Sequence, residues 1–164
     1  MANSGTTRMV IGILISVGFS FFSVYFFNML DLINQIEAYA GTNLVKVYAI
    51  ALGSNFRFDF VSVFTGTPTT FGFFIPQIVV WFILGYISGT IAKGSKRGIT
   101  ASFLVIVIVL LLWITLSIFS QVDLMALFSG SQLIFTLGGL FVSLAGGLLG
   151  GIIGGKVSGP FQGI

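Results

Sequence analysis

The sequence predicts an all-α membrane protein: four transmembrane helices, N- and C-termini in the cytoplasm, and one long outer loop carrying short interfacial elements. Three observations predict it. The 164 residues are 56% hydrophobic and only 7% charged, with a mean hydropathy of +1.12, whereas about a quarter of a soluble domain is charged. Four apolar runs are each long enough to cross a bilayer as a helix, about 20 residues. The charges also divide cleanly between the two sides that four spans would create. A single membrane domain over residues 1–164 is the simplest organisation.

The first span is read over residues 9–30. Its 22 residues exceed an ordinary signal-peptide core, so a retained helix is expected, with a cleaved signal as the alternative. Gly12, Ser16 and Ser20 form a small row at i, i+4. Phe19, Phe21, Phe22, Tyr25, Phe26 and Phe27 make the second half aromatic, as befits a membrane edge.

Residues 31–72 form the outer loop. Helical periodicity at Leu32, Ile33, Ile36 and Tyr39 prolongs the first helix, and Gly41-Thr42-Asn43 reads as a break. The apolar stretch Leu44–Leu52 is too short to span. Phe56-Arg57-Phe58-Asp59-Phe60 alternates strictly, which predicts a short strand or a segment resting on the membrane surface or on a partner. Thr65–Thr70, with Gly66 and Pro68, is expected to be a loop.

The second span, residues 73–92, has Pro76 near its start, where a missing N–H does no harm. Gly85, Ser88, Gly89 and Ala92 give it a small face. A basic turn, Lys93 to Gly98, leads to the third span, 99–119. That span has no small residue from 103 to 114 and is therefore expected to face lipid. Asp123 ahead of Leu124–Phe128 suggests a capped interfacial helix. The fourth span covers 133–157.

That last span is the most unusual. Successive turns of an α-helix bring i and i+4 to nearly the same face, about 400° on. One such row holds Gly139, Ser143, Gly147, Gly151, Gly155 and Gly159; its neighbour holds Gly138, Val142, Gly146, Gly150, Gly154 and Ser158. Glycine costs a helix about 0.8–1 kcal/mol against alanine in water, so a face this bare is expected to be covered by protein. Small residues at this spacing let helix backbones approach closely in lipid.

Orientation follows from charge. Arg8, Lys93, Lys96, Arg97 and Lys156 fall on one side without an acid, and the positive-inside rule makes that side cytoplasmic. Asp31, Glu37, Asp59 and Asp123 fall on the other, with Lys46 and Arg57. A multi-pass protein of the cell membrane is the implied location.

Chemistry is sparse. The chain has no Cys and no His, which removes thiol chemistry and the usual zinc, copper and haem ligand sets. No ionisable group is expected deep in the bilayer, as proton relays and voltage sensors require. The outer carboxylates are scattered and sit in no motif. No catalytic residue, metal site or cofactor is expected, and the basic residues are too few for a nucleic-acid face. Lys93, Lys96 and Arg97 are candidates for contact with anionic lipid headgroups.

The stretch Trp81-x3-Gly85-x3-Gly89-x3-Lys93, followed by Ser95-Lys96-Arg97-Gly98, resembles the paired-helix pattern of small uncharacterised archaeal membrane proteins, as does the glycine-rich last span. That resemblance covers under half of the chain and implies no activity. The layout of four spans with a long first outer loop also looks like claudins, but their loop carries a Cys pair and this chain has none.

The expected function is therefore a non-catalytic accessory subunit of a larger respiratory or oxidase-type membrane complex. Its partners would be other membrane subunits and lipids, met through the packing residues Gly12, Ser16, Gly85, Gly89, Gly139, Ser143, Gly146, Gly147, Gly150, Gly151, Gly154 and Gly155. The alternative is a self-assembling homo-oligomeric channel or transporter whose glycine helix lines the path.

Overall fold

Residues that favour helices, interrupted by serine, glycine and aromatic clusters, give seven α-helices among the described residues. The computed structural model describes residues 4–26, 29–58, 71–121 and 129–160. In order the helices are α1 (Ser4–Ser20), α2 (Ser23–Phe26), α3 (Leu30–Ala40), α4 (Leu44–Gly53), α5 (Phe71–Ala92), α6 (Ser95–Phe119) and α7 (Gly130–Val157). A 3-10 turn, Ser54–Phe56, extends α4. Among the described residues two helices are long and apolar enough to cross a membrane, α6 and the Leu133–Val157 part of α7. Gly5–Ser20 of α1 and Gln77–Ala92 of α5 are shorter apolar helices.

The expected continuous helix over 9–30 does not form. The backbone tightens after Ser20: Phe21 N–H donates to the Gly18 carbonyl and Phe22 N–H to that of Phe19, each three residues back and not four. Two serines favour this break by turning on the local backbone. Ser20 Oγ donates to the Val17 carbonyl at 2.7 Å, and Ser23 Oγ lies 2.9 Å from the Ser20 carbonyl. The chain then restarts as α2.

Most of the described part of the expected outer loop is helical. Asn43 caps α4, its Oδ1 accepting from Lys46 N–H at 3.0 Å. Lys46 Nζ lies 3.8 Å from the centre of the Tyr39 ring and ties α4 to α3. Val24, Ile36 and Ala51 form a small second core beneath this hairpin. The expected strand at 56–60 is also absent over its described part: Phe56 lies in the 3-10 turn and Arg57, extended, follows it. The alternation nonetheless sorts the side chains, with Phe56 and Phe58 buried and Arg57 exposed. Asp59, Phe60, the 65–70 loop and the Asp123–Phe128 segment lie outside the described residues.

The main core runs between α1, α5, α6 and α7. Small residues decide the packing. Along α7 the two glycine rows serve different neighbours. Gly146, Gly150 and Gly154 lie on α5, where an added Cβ would meet the backbone of Ile78, Phe82, Tyr86 and Thr90. Gly151 and Gly155 lie on the start of α6, against Gly98, Ser102, Gly94 and Ser95; Gly147 faces Ile106 of α6. In return, a Cβ at Gly85 would collide with the Gly147 carbonyl, and one at Gly89 or Gly98 with that of Gly151. Three helices thus meet backbone to backbone at Gly89, Gly98 and Gly151.

Helix α6, expected from its sequence to face lipid, is two-faced: one side is exposed and the other is buried in the bundle. Ala101, Ser102, Val105, Val109, Trp113 and Ser117 are buried, whereas Phe103, Leu111, Ile118 and Phe119 are exposed. Valines pack this stripe where small residues are missing.

Adding volume at the junction tests this packing. Gly151→Val should destabilise the fold by about 1–3 kcal/mol or more, since backbone must move. Gly18→Ala should be neutral or stabilising by up to about 1 kcal/mol, because Gly18 has open space around it. Denaturant unfolding of the detergent-solubilised protein checks both.

Candidate functional site

Two places concentrate polar or charged groups: the inserted tip of α4, and the end of the bundle where α5 turns into α6.

Helix α4 is about 15 Å long at 1.5 Å per residue, and its C-terminal end is driven into the bundle. Every residue from Ala51 to Phe56 is buried. Gly53 permits the entry, because a Cβ there would strike the Trp113 indole. Phe56 lies between two tryptophans, 5.2 Å from the Trp81 ring and stacked at 5.3 Å on that of Trp113. Its carbonyl occupies the space that a side chain at Gly139 would fill. Phe58 N–H then donates to the Phe135 carbonyl of α7 at 3.1 Å.

Asn55 fixes this plug and is fully buried. Its Nδ2 donates to the Ser20 carbonyl at 3.0 Å, its Oδ1 accepts from Ser23 Oγ at 2.6 Å, and its backbone carbonyl accepts from Trp81 Nε1 at 2.7 Å. The amide orientation is dictated by the first of these, since the reverse would set two oxygens face to face. The break in α1 and the tip of α4 are therefore one polar unit. Ser16 continues it toward the basic end, donating to the Leu84 carbonyl at 3.0 Å. Next come Ser88 and Ser102, with hydroxyls 3.0 Å apart. Both lie within reach of the Gly85 carbonyl.

One buried polar atom stands outside this pairing. Gln77 is 3% exposed, and its Oε1 has no hydrogen-bond partner among the described residues. It precedes Trp81 by one helical turn and so shares its face. Beside the break, Phe19, Ser23, Phe26, Val80, Ile83, Leu84 and Ile87 line an apolar groove of about 340 Å³. Arg57 follows the plug. Desolvation by the surrounding protein lowers its pKa from the ordinary arginine value, and an arginine guanidinium stays charged at neutral pH.

At the other end, Lys93, Gly94, Ser95, Lys96, Arg97 and Pro160 line an open cleft of about 380 Å³. Gly94 N–H donates to the Gly155 carbonyl at 3.1 Å, pinning the turn to α7. The Arg97 guanidinium packs against Gly5 at the start of α1.

All twelve packing residues named from sequence are buried, and the structure brings eleven of them against the chain's own helices or plug. Gly12 meets Ser88 and Ile91; Ser16 and the α5–α7 glycines are placed as above. Ser143, the twelfth, is buried and turns on its own helix, donating to the Leu140 carbonyl at 2.7 Å. Lys93, Lys96 and Arg97 come together in one cleft. Sequence reasoning missed Asn55, Trp81 and Trp113 as a set. Their signal was an Asn-Phe pair at the end of an apolar stretch too short to span. The sequence matches no protein-family model, and neither a curated protein nor a solved structure matches it.

Removing the plug's contacts should unfold this end first. Asn55→Leu should cost about 1–3 kcal/mol by leaving the Ser20 carbonyl unpaired in the core. Phe56→Ala should cost about 3–5 kcal/mol through the cavity between the two indoles. Faster amide hydrogen exchange in 18–24 and 44–58 than in α7 is the accompanying result.

Proposed function

We propose that this chain is a four-span, multi-pass protein of the cell membrane with both termini in the cytoplasm, serving as a non-catalytic accessory subunit of a larger membrane complex of respiratory or oxidase type. The observation that carries it is a core closed by backbone contact and surrounded by an apolar perimeter. Val10, Leu14, Phe26, Leu111, Phe119, Phe141, Leu149 and Val157 all expose large apolar side chains. Water would penalise such a surface by about 25 cal/mol per Å²; acyl chains or apolar partner helices would not. The glycine rows are occupied within the chain, so partner subunits would dock on this perimeter. With neither Cys nor His in the sequence, what the chain offers an assembly is shape.

A second reading, a small channel or carrier, is favoured by a different observation. A broken α1 and an inserted α4 meet at buried polar groups, and discontinuous helices of this kind line solute sites in transporters. Gln77, whose Oε1 has no hydrogen-bond partner among the described residues, stands one helical turn before Trp81, whose indole N–H bonds the plug. In this form the path follows the plug, since the glycines of α7 are packed.

Extraction in mild detergent decides between them. The accessory reading expects the chain to co-purify with other membrane subunits at fixed stoichiometry, and proteoliposomes of the isolated chain to show no flux. Isolation of the chain alone, with solute flux altered by Gln77→Leu, would replace it with the carrier.

A further inference from the structure

We infer that the cleft formed by Lys93, Ser95, Lys96, Arg97 and Pro160 binds the phosphate of an anionic lipid headgroup. The inference rests on the membrane reading above. Three cations converge on one concavity of about 380 Å³, with no acidic residue between positions 60 and 122 or beyond 123 in the sequence. Two more cations belong to the same end. Lys156 follows Gly155, which abuts Gly94 and Ser95; Arg8 is three residues after Gly5, which abuts Arg97.

The backbone supports this use. Lys93 stands at φ 54°, a left-handed conformation in which Gly or Asn ordinarily ends a helix. A lysine held there carries a conformational cost that a glycine would avoid, and it places a charge at the rim. Gly94 follows at φ 86°, where a Cβ would be strained. It starts α6 with no side-chain cap on the helix. The first-turn amides of α6 therefore add positive field to that of the side chains. A tetrahedral phosphodiester, whose two non-bridging oxygens share one negative charge, matches such a set of ammonium, guanidinium and amide donors. The cleft opens at the basic end of the bundle, beside the first turn of α6 and the last residues before the tail. A headgroup attached to acyl chains can reach it from the membrane edge without entering the core.

Native mass spectrometry of the detergent-purified protein tests it, with phosphatidylglycerol and phosphatidylcholine as equimolar probes. Phosphatidylglycerol should be retained in preference. Lys93→Gln/Lys96→Gln/Arg97→Gln should reduce that retention by about tenfold or more, as expected for three interfacial cations. Arg8→Gln/Lys156→Gln, which removes charge from the same end but outside the cleft, should reduce it by less than either cleft variant, since screening weakens charges at a distance from the bound phosphate. Because Arg97 also packs on α1, Lys93→Gln/Lys96→Gln is the second variant and should show an intermediate loss in a protein with unchanged helical circular dichroism. Equal retention of both lipids, or equal loss in the cleft and control variants, overturns the inference. Inorganic phosphate that binds alone and displaces the lipid at millimolar concentration overturns the lipid assignment and identifies a soluble anion. Release of the protein from membranes by carbonate at high pH would defeat the membrane reading itself, independently of these outcomes.

Discussion

Everything in this fold depends on helices that touch through their backbones. Between α5 and α7 the distance is set by glycine: the Gly147 and Gly151 carbonyls fill the space where Gly85 and Gly89 would otherwise carry side chains. An aqueous hydrophobic effect is not needed to hold such a contact. Close approach increases dispersion along the whole seam, and in lipid that is the main source of helix association. The helix cost of so many glycines, roughly 0.8–1 kcal/mol each in water, is offset only if the bare faces are covered. They are, by α5 on one side and α6 on the other.

The seam leaves the two ends of the bundle unequal. At the basic end, the turn between α5 and α6 is clasped to α7 by the Gly94–Gly155 hydrogen bond, and three glycines of three helices meet just beyond it. At the opposite end α1 stops early. The vacated volume is filled by α4 and its 3-10 turn, with Phe56 wedged between Trp81 and Trp113. A break in a helix frees carbonyls that must find partners where water is scarce. Asn55 supplies one for Ser20. The interruption of α1 and the insertion of α4 are therefore complementary, since each supplies hydrogen-bond partners to the other.

Much of this was legible in the sequence, and the reasons for the rest are specific. The i, i+4 glycine rows announced a covered face, because spacing alone fixes which residues share it. Which neighbour each row would serve was not readable, since that depends on how far α7 is rotated about its axis. Met9 to Leu30 looked continuous because hydropathy is blind to Ser20 and Ser23, whose hydroxyls redirect the local backbone. The alternation at Phe56 and Phe58 gave the right inward residues from the wrong conformation: one 3-10 turn followed by one extended residue separates two faces as a strand does. Lys93, Lys96 and Arg97 were visible as charge, but a cleft between a turn and a distant Pro160 is a tertiary fact.

The inequality of the ends constrains function under either proposal. Displacing a helix at the glycine junction would require carbonyls to separate from glycine Cα atoms along several turns at once, so that end behaves as a rigid body. The plug end is held mainly by discrete side-chain contacts, among them the Asn55 hydrogen bonds, the Phe56 ring between two indoles and the Phe58–Phe135 hydrogen bond. Interactions of that kind break one at a time. A conformational change coupled to a partner or a solute would thus be concentrated between α1 and α4, with the basic end as the fixed reference. An accessory subunit would use the plug to recognise its assembly, and a carrier would use it as a gate. In both, the fixed part was fixed by leaving side chains out.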